Sequence, residues 1–145
     1  HKAYHRVTLK SNDHNRRENL MKTAKVIALL GFIFMSIAIL NGFINGSFTQ
    51  DGGELLRNPW GIVSLTDLFV GFALFLLWIF FREESLIIKL LWIPTMAMLG
   101  FLAAALYIFI QLVKSDGDWL KFFLGSKKDQ LIQKEIQKKN TQLKQ

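Results

Sequence analysis

The chain reads as an all-α integral membrane protein, a three-helix bundle whose second and third spans form an antiparallel hairpin. Three long apolar stretches carry this reading: Val26 to about Leu40, about Trp60 to Phe81, and Leu90 to Val113. A helix needs about 20 residues to cross the roughly 30 Å hydrocarbon core of a bilayer. No Lys, Arg, Asp or Glu occurs from Val26 to Gln50 or from Leu90 to Val113, and only Asp67 interrupts Asn58 to Phe81. A soluble domain of 145 residues, 51% of them hydrophobic, would instead set its apolar residues in stripes.

The leader, residues 1–21, is polar and basic with no apolar period, and is expected to be disordered or loosely helical. Met21-Lys22-Thr23-Ala24-Lys25 has the form of a translation start, a short basic region before an apolar run. A signal peptide is the alternative, but no A-x-A site follows. The first span, about 24–41, is expected to stop at Asn41-Gly42. Asn45-Gly46-Ser47 and Asp51-Gly52-Gly53 are turn signals in a polar connector. Asn58 then suits an N-cap, Pro59 the first helical position, and Trp60 the headgroup interface. The second span, about 59–81, ends at Arg82-Glu83-Glu84, and the third, about 88–113, carries Pro94 as an expected kink. Asp118 to Leu124 is short and aromatic, suited to lying flat in the interface. Residues 126–145 form a Lys/Gln-rich solvated tail.

The net charge of +7 sits at the ends. Basic residues flank apolar spans, so lipid headgroups, and not nucleic acid, are the expected contact. Three spans put the termini on opposite faces. With the N-terminus cytoplasmic, Arg16, Arg17, Lys22, Lys25, Arg82 and Lys89 lie inside. Arg57, Lys114, Lys121, Lys127 and Lys128 lie outside, a narrow margin for the positive-inside rule.

Asp67 is the odd residue, because an ionisable group in a span is costly and by default a functional hypothesis. Two readings compete. If the helix starts near Leu65, Ser64 caps it and Asp67 completes a variant capping box. If not, counting depth from the hairpin turn brings Asn41, Asp67, Tyr107 and Gln111 together as an intramembrane polar cluster, with Tyr107 or Gln111 bonded to the carboxylate. Gly71, Gly100 and Ala104 are candidates for close helix packing, as are Gly31, Ala38 and Gly42.

Several classes of chemistry lack their motifs. There are no cysteines, and no phosphate-loop, nucleophile-elbow or zinc-protease pattern. The three histidines lie in the leader, where His1-x-x-x-His5 reads as accidental, so no metal or other cofactor is expected. An enzyme is the less favoured class.

Asn58-Pro59-Trp60-Gly61, Asp67-Leu68-Phe69, Trp78 followed by Arg82-Glu83, Gly100 to Tyr107, Gly117-Asp118-Trp119 and Leu124-Gly125 form a set. Together they resemble a family of small bacterial three-span membrane proteins of unknown function, over roughly residues 22–125. The resemblance implies a multi-pass bundle in the bacterial inner membrane and transfers no catalytic residue. The expected role is a structural or accessory component acting through helix packing, as a homo-oligomer or in a larger membrane complex. The alternative is a small transport or proton-linked component using Asp67.

Overall fold

The computed structural model describes residues 2–143, with side chains from Asp13 onward. Seven helices follow in order: α1 Lys2–Asn45, α2 Phe48–Arg57, α3 Pro59–Arg82, α4 Leu86–Leu99, α5 Phe101–Lys114, α6 Trp119–Leu124 and α7 Lys127–Gln142. No strand occurs among the described residues. Two helical segments, Asp13–Asn45 and Pro59–Arg82, are long and apolar enough to cross a membrane.

α1 is continuous through the leader, so its described part is helical and not disordered. Neither Gly nor Pro occurs before Gly31, and tertiary contacts hold the segment. Met21 is buried with Ala28, Leu112 and Phe122, and the Trp119 indole donates to the Arg17 carbonyl at 3.4 Å. The helix also passes the expected stop at Asn41-Gly42 and ends at Asn45. Asp51-Gly52-Gly53, read as a turn, lies inside α2. The Asp51 carboxylate reaches back to the Ser47 N–H at 2.8 Å, supplying an acceptor to an orphan donor at that helix start.

α3 starts where its sequence says. The Asn58 side chain accepts from the Trp60 N–H at 3.0 Å, and Pro59 occupies the first turn. α2 folds back tightly on this start, since a Cβ on Gly61 would lie 2.1 Å from the Leu55 carbonyl oxygen.

The third apolar stretch is not one helix. It breaks at Gly100, not at Pro94, which α4 accommodates internally. Gly100 has φ +59° and ψ −139°, a conformation that β-carbons exclude. α4 and α5 are 14 residues each, roughly 21 Å long at 1.5 Å per residue, too short to cross a 30 Å core. They pair antiparallel about the break. Met96 meets Ala103 and Ala104 near the tip, and the Trp92 and Tyr107 rings meet edge-on at 4.9 Å further down.

The tip abuts the middle of α3. A Cβ on Gly71 would meet the Phe101 ring at 3.0 Å, and one on Gly100 would meet Phe72 at 3.2 Å. α5 therefore descends beside α3 toward Arg82, packing along α1 on its other side, with Gly31 opposite Ala105. Arg17 of α1 and Ser126, just before α7, both lie at this Arg82 end, the one bonded to Trp119 and the other to the Arg82 carbonyl. α2 lies at the opposite end.

Candidate functional site

The polar centre of the molecule is Arg82, at the last residue of α3. Its side chain is almost wholly buried, at 5% exposure, so every guanidinium nitrogen needs an acceptor. Nε donates to the Phe122 carbonyl at 2.7 Å and Nη2 to the Lys121 carbonyl at 3.4 Å. Nη1 donates to Glu83 Oε1 at 3.1 Å and to the Tyr107 hydroxyl at 3.0 Å. That hydroxyl donates to Glu83 Oε1 at 2.7 Å, closing a triangle of Arg82, Glu83 and Tyr107.

Local sequence explains the geometry. α6 is six residues long, so its last carbonyls seek partners beyond it, that of Lys121 also accepting from the Gly125 N–H. Arg82 takes two of them, and the Trp78 indole takes that of Phe123 at 3.3 Å. A cation at a helix C-terminus also complements the dipole. Gly125 ends α6 at φ +58°, and a Cβ there would lie 2.6 Å from Arg82 Cγ. Trp78, Trp92 and Phe75 surround Tyr107 edge-on. The start of α6 is capped by Asp118, which accepts from the Leu120 and Lys121 N–H groups and pairs with Lys128. That ammonium, followed by the backbone donors, holds the Asp118 carboxyl below its usual range.

An open cleft of about 860 Å³ lies against this network. Its apolar wall is Ile88, Leu91, Trp92 and Ile110, and its polar wall includes Gln111, Lys114, Asp116 and Lys121. Gln111 is 9% exposed, one turn beyond Tyr107 on the same face of α5. Among the described residues no group of three or more His, Cys, Asp or Glu could hold a metal ion; His1 and His5 lie outside the described side chains.

The four residues of the expected polar cluster separate. Tyr107 and Gln111 lie together at the Arg82 end. Asp67 stands roughly 22 Å up α3 from Arg82, at 1.5 Å per residue. It is exposed, with no side-chain hydrogen bond or ion pair among the described residues. Asn41 is exposed near the far end of α1, and its Oδ1 accepts from the Asn45 amide at 2.6 Å. The depth count failed because the Gly100 break turns α5 back toward Arg82. The capping box also falls: α3 begins before Ser64, whose hydroxyl donates to the Trp60 carbonyl at 3.0 Å. Of the expected packing residues, Ala104 is buried with Phe72, and Gly71 and Gly100 face aromatic rings. Gly42 has open space around it.

Sequence reasoning missed Arg82, Glu83 and Trp78 as site residues, reading the charges only as the end of the second span. The usable signal was an Arg-Glu step at an apolar helix end, matched by a short aromatic helix closed by Gly125.

The family model for proteins of unknown function designated DUF1475 matches residues 7–124. The chain belongs to that family. The match includes the segment upstream of Met21, and so extends further than the resemblance over residues 22–125. No curated protein and no solved structure matches the chain. Membership in DUF1475 assigns no activity to the cleft or to the Arg82 network.

Proposed function

We propose that this DUF1475 protein is an integral membrane protein that crosses the bilayer twice and dips into it once. In this reading α1 and α3 are the spans, and α4–α5 is a re-entrant hairpin that enters and leaves on one face. It acts as an accessory component, packing on a partner through the α2-side halves of α1 and α3.

Support for the membrane comes from the surface. Large apolar side chains are exposed along every one of these helices, among them Phe34, Phe43, Leu74, Leu77, Ile87 and Met98. Water would not tolerate so extensive an apolar surface. Support for the topology comes from charge. With the leader part of α1 and the start of α7 at the Arg82 end, every basic residue named for orientation except Arg57 falls on one side. The narrow margin of the three-span reading becomes a large excess, which assigns that side to the cytoplasm. The resemblance suggests the bacterial inner membrane.

The observation that carries the accessory role is Asp67. It is exposed on α3, where lipid offers no hydrogen-bond donor. A partner helix supplying a donor at that depth would satisfy it.

The chain has no cysteine, so single cysteines report position cleanly. In oriented vesicles, an impermeant maleimide should label cysteines at Asp13 and Leu143 from one face and at Thr49 from the other. A cysteine at Met98 should resist labelling from both. Labelling of Met98 from the Thr49 side would defeat the re-entrant hairpin. Photo-crosslinkers at Val63 and Phe69 should trap a protein in native membranes, and Asp67→Ala should weaken the product. Absence of any product from both positions would defeat the packing role.

Proton-linked transport through Asp67 is the second reading, favoured by the same exposed carboxylate. It requires Asp67→Asn to abolish transport while the crosslinks persist.

A further inference from the structure

We propose that the cleft beside the Arg82 network binds the headgroup of a zwitterionic phospholipid bearing a primary ammonium, a phosphoethanolamine group. The inference rests on the membrane reading above. The first observation is Gln111. Gln111 is 9% exposed and lines the cleft, and its side-chain amide makes no hydrogen bond within the protein among the described residues. Among the described residues no fully buried side-chain nitrogen or oxygen lacks a partner, so the Gln111 amide opens onto the cleft, with donors and an acceptor to offer a ligand.

The second observation is the charge left over around it. Arg82 has spent its three nitrogens on protein acceptors, and Asp118 is held by Lys128 and by the α6 amides. What remains on the lining is Lys114 and Lys121 against Asp116 and Asp129, with no ion pair among the described residues. Two cations and two anions give no net attraction for a purely anionic ligand. They match a group that carries both signs. The phosphodiester accepts from the Lys114 and Lys121 ammoniums and from the Gln111 N–H groups. The primary ammonium donates to Asp116 and Asp129 and to the Gln111 carbonyl. A quaternary ammonium has no N–H to donate and would need an aromatic cage.

The third observation is the apolar wall of α4, where Ile88 and Leu91 are exposed beside the polar lining. In the membrane reading this wall adjoins lipid at headgroup depth, so acyl chains can continue along it while the headgroup occupies the cleft.

The test uses the full chain in nanodiscs of equal phosphatidylethanolamine, phosphatidylcholine and phosphatidylglycerol, with retained lipid read by native mass spectrometry. Phosphatidylethanolamine should be enriched roughly fivefold to tenfold, the affinity of about one net hydrogen bond. Gln111→Leu should remove the enrichment. Lys114→Gln with Asp116→Asn, both exposed and harmless to folding, should do so as well. Soluble phosphoethanolamine should displace the retained lipid. Enrichment of phosphatidylglycerol, equal retention of all three, or binding of soluble phosphoethanolamine without lipid retention would each overturn the proposal. Alkaline carbonate extraction separates the two readings. A chain that resists extraction but does not discriminate lipids loses only this site. A chain that carbonate strips from membranes loses the membrane reading too.

Discussion

The two halves of this molecule are built on different terms. From the Arg82 end to mid-height the helices pack on one another: α1, α5 and α6 share one buried cluster, and α3, α4 and α5 share a second nearer the Gly100 tip. At the α2 end, α1 has no buried residue beyond Ala28 and α3 has none between Gly61 and Phe72. The difference follows from the Gly100 break. α5 turns back at mid-height, so it fills the space between α1 and α3 on one side and leaves it open on the other. The packed half stabilises itself. The open half depends on lipid or on another chain.

Substitutions can test this contrast directly in detergent-purified protein by thermal or denaturant unfolding. The largest effect should come from Arg82→Ala, about 3–5 kcal/mol, because it removes a buried cation that ties Tyr107 and the half-buried Glu83 to the last carbonyls of α6. A loss under 1 kcal/mol, the size of an ordinary surface change, would mean the network does not hold this end together. Gly100→Leu should cost about 1–3 kcal/mol for a side chain forced into a glycine-only conformation, and the Phe72 ring adds a contact it must move. If the variant is instead stabilised, α4 and α5 have fused into one helix and the contrast collapses.

Tyr107→Phe should cost about 1–2 kcal/mol, leaving one donor of Arg82 and one acceptor of Glu83 unmet. Acid should act on the Asp118–Lys128 link. Asp118 is held below its usual pKa of 3.8 in the folded chain, so its contribution is fully present above that value. It is lost as pH falls through the lowered one. Protease cleavage near Ser126 should rise only in that acid range, and Asp118→Asn should abolish the dependence. The smallest effect should come from Phe43→Ala, within about 0.5 kcal/mol, since nothing packs on that ring in the open half. A large loss there would show that the open half has a core of its own.

Much of the fold was legible in local sequence. Asn58-Pro59 marks the start of α3, and the charge-free runs mark the apolar helices. The break at Gly100 was not legible, because Ile-Pro before it is the stronger helix-breaking signal and an isolated Gly inside an apolar run is ordinary. The end of α1 was missed for the opposite reason. Asn41-Gly42 looks like a stop, yet a helix with nothing packed against it can run on through a single glycine at small cost. The candidate site was half legible. Tyr107 and Gln111 stood out as polar residues in an apolar stretch. Arg82 and Glu83, the partners of Tyr107, did not, because charges at a span end look solvated until another helix covers them.

Sequence by itself determined the helical class, the apolar surface and the unusual position of Asp67, since each depends only on residue type along one helix. Tertiary structure decided which residues meet. One glycine at positive φ reverses the chain, and that reversal moves Tyr107 from the level of Asp67 to the level of Arg82. No periodicity or composition encodes such a turn, because it rests on a close approach to Phe72 and Gly71 from another helix.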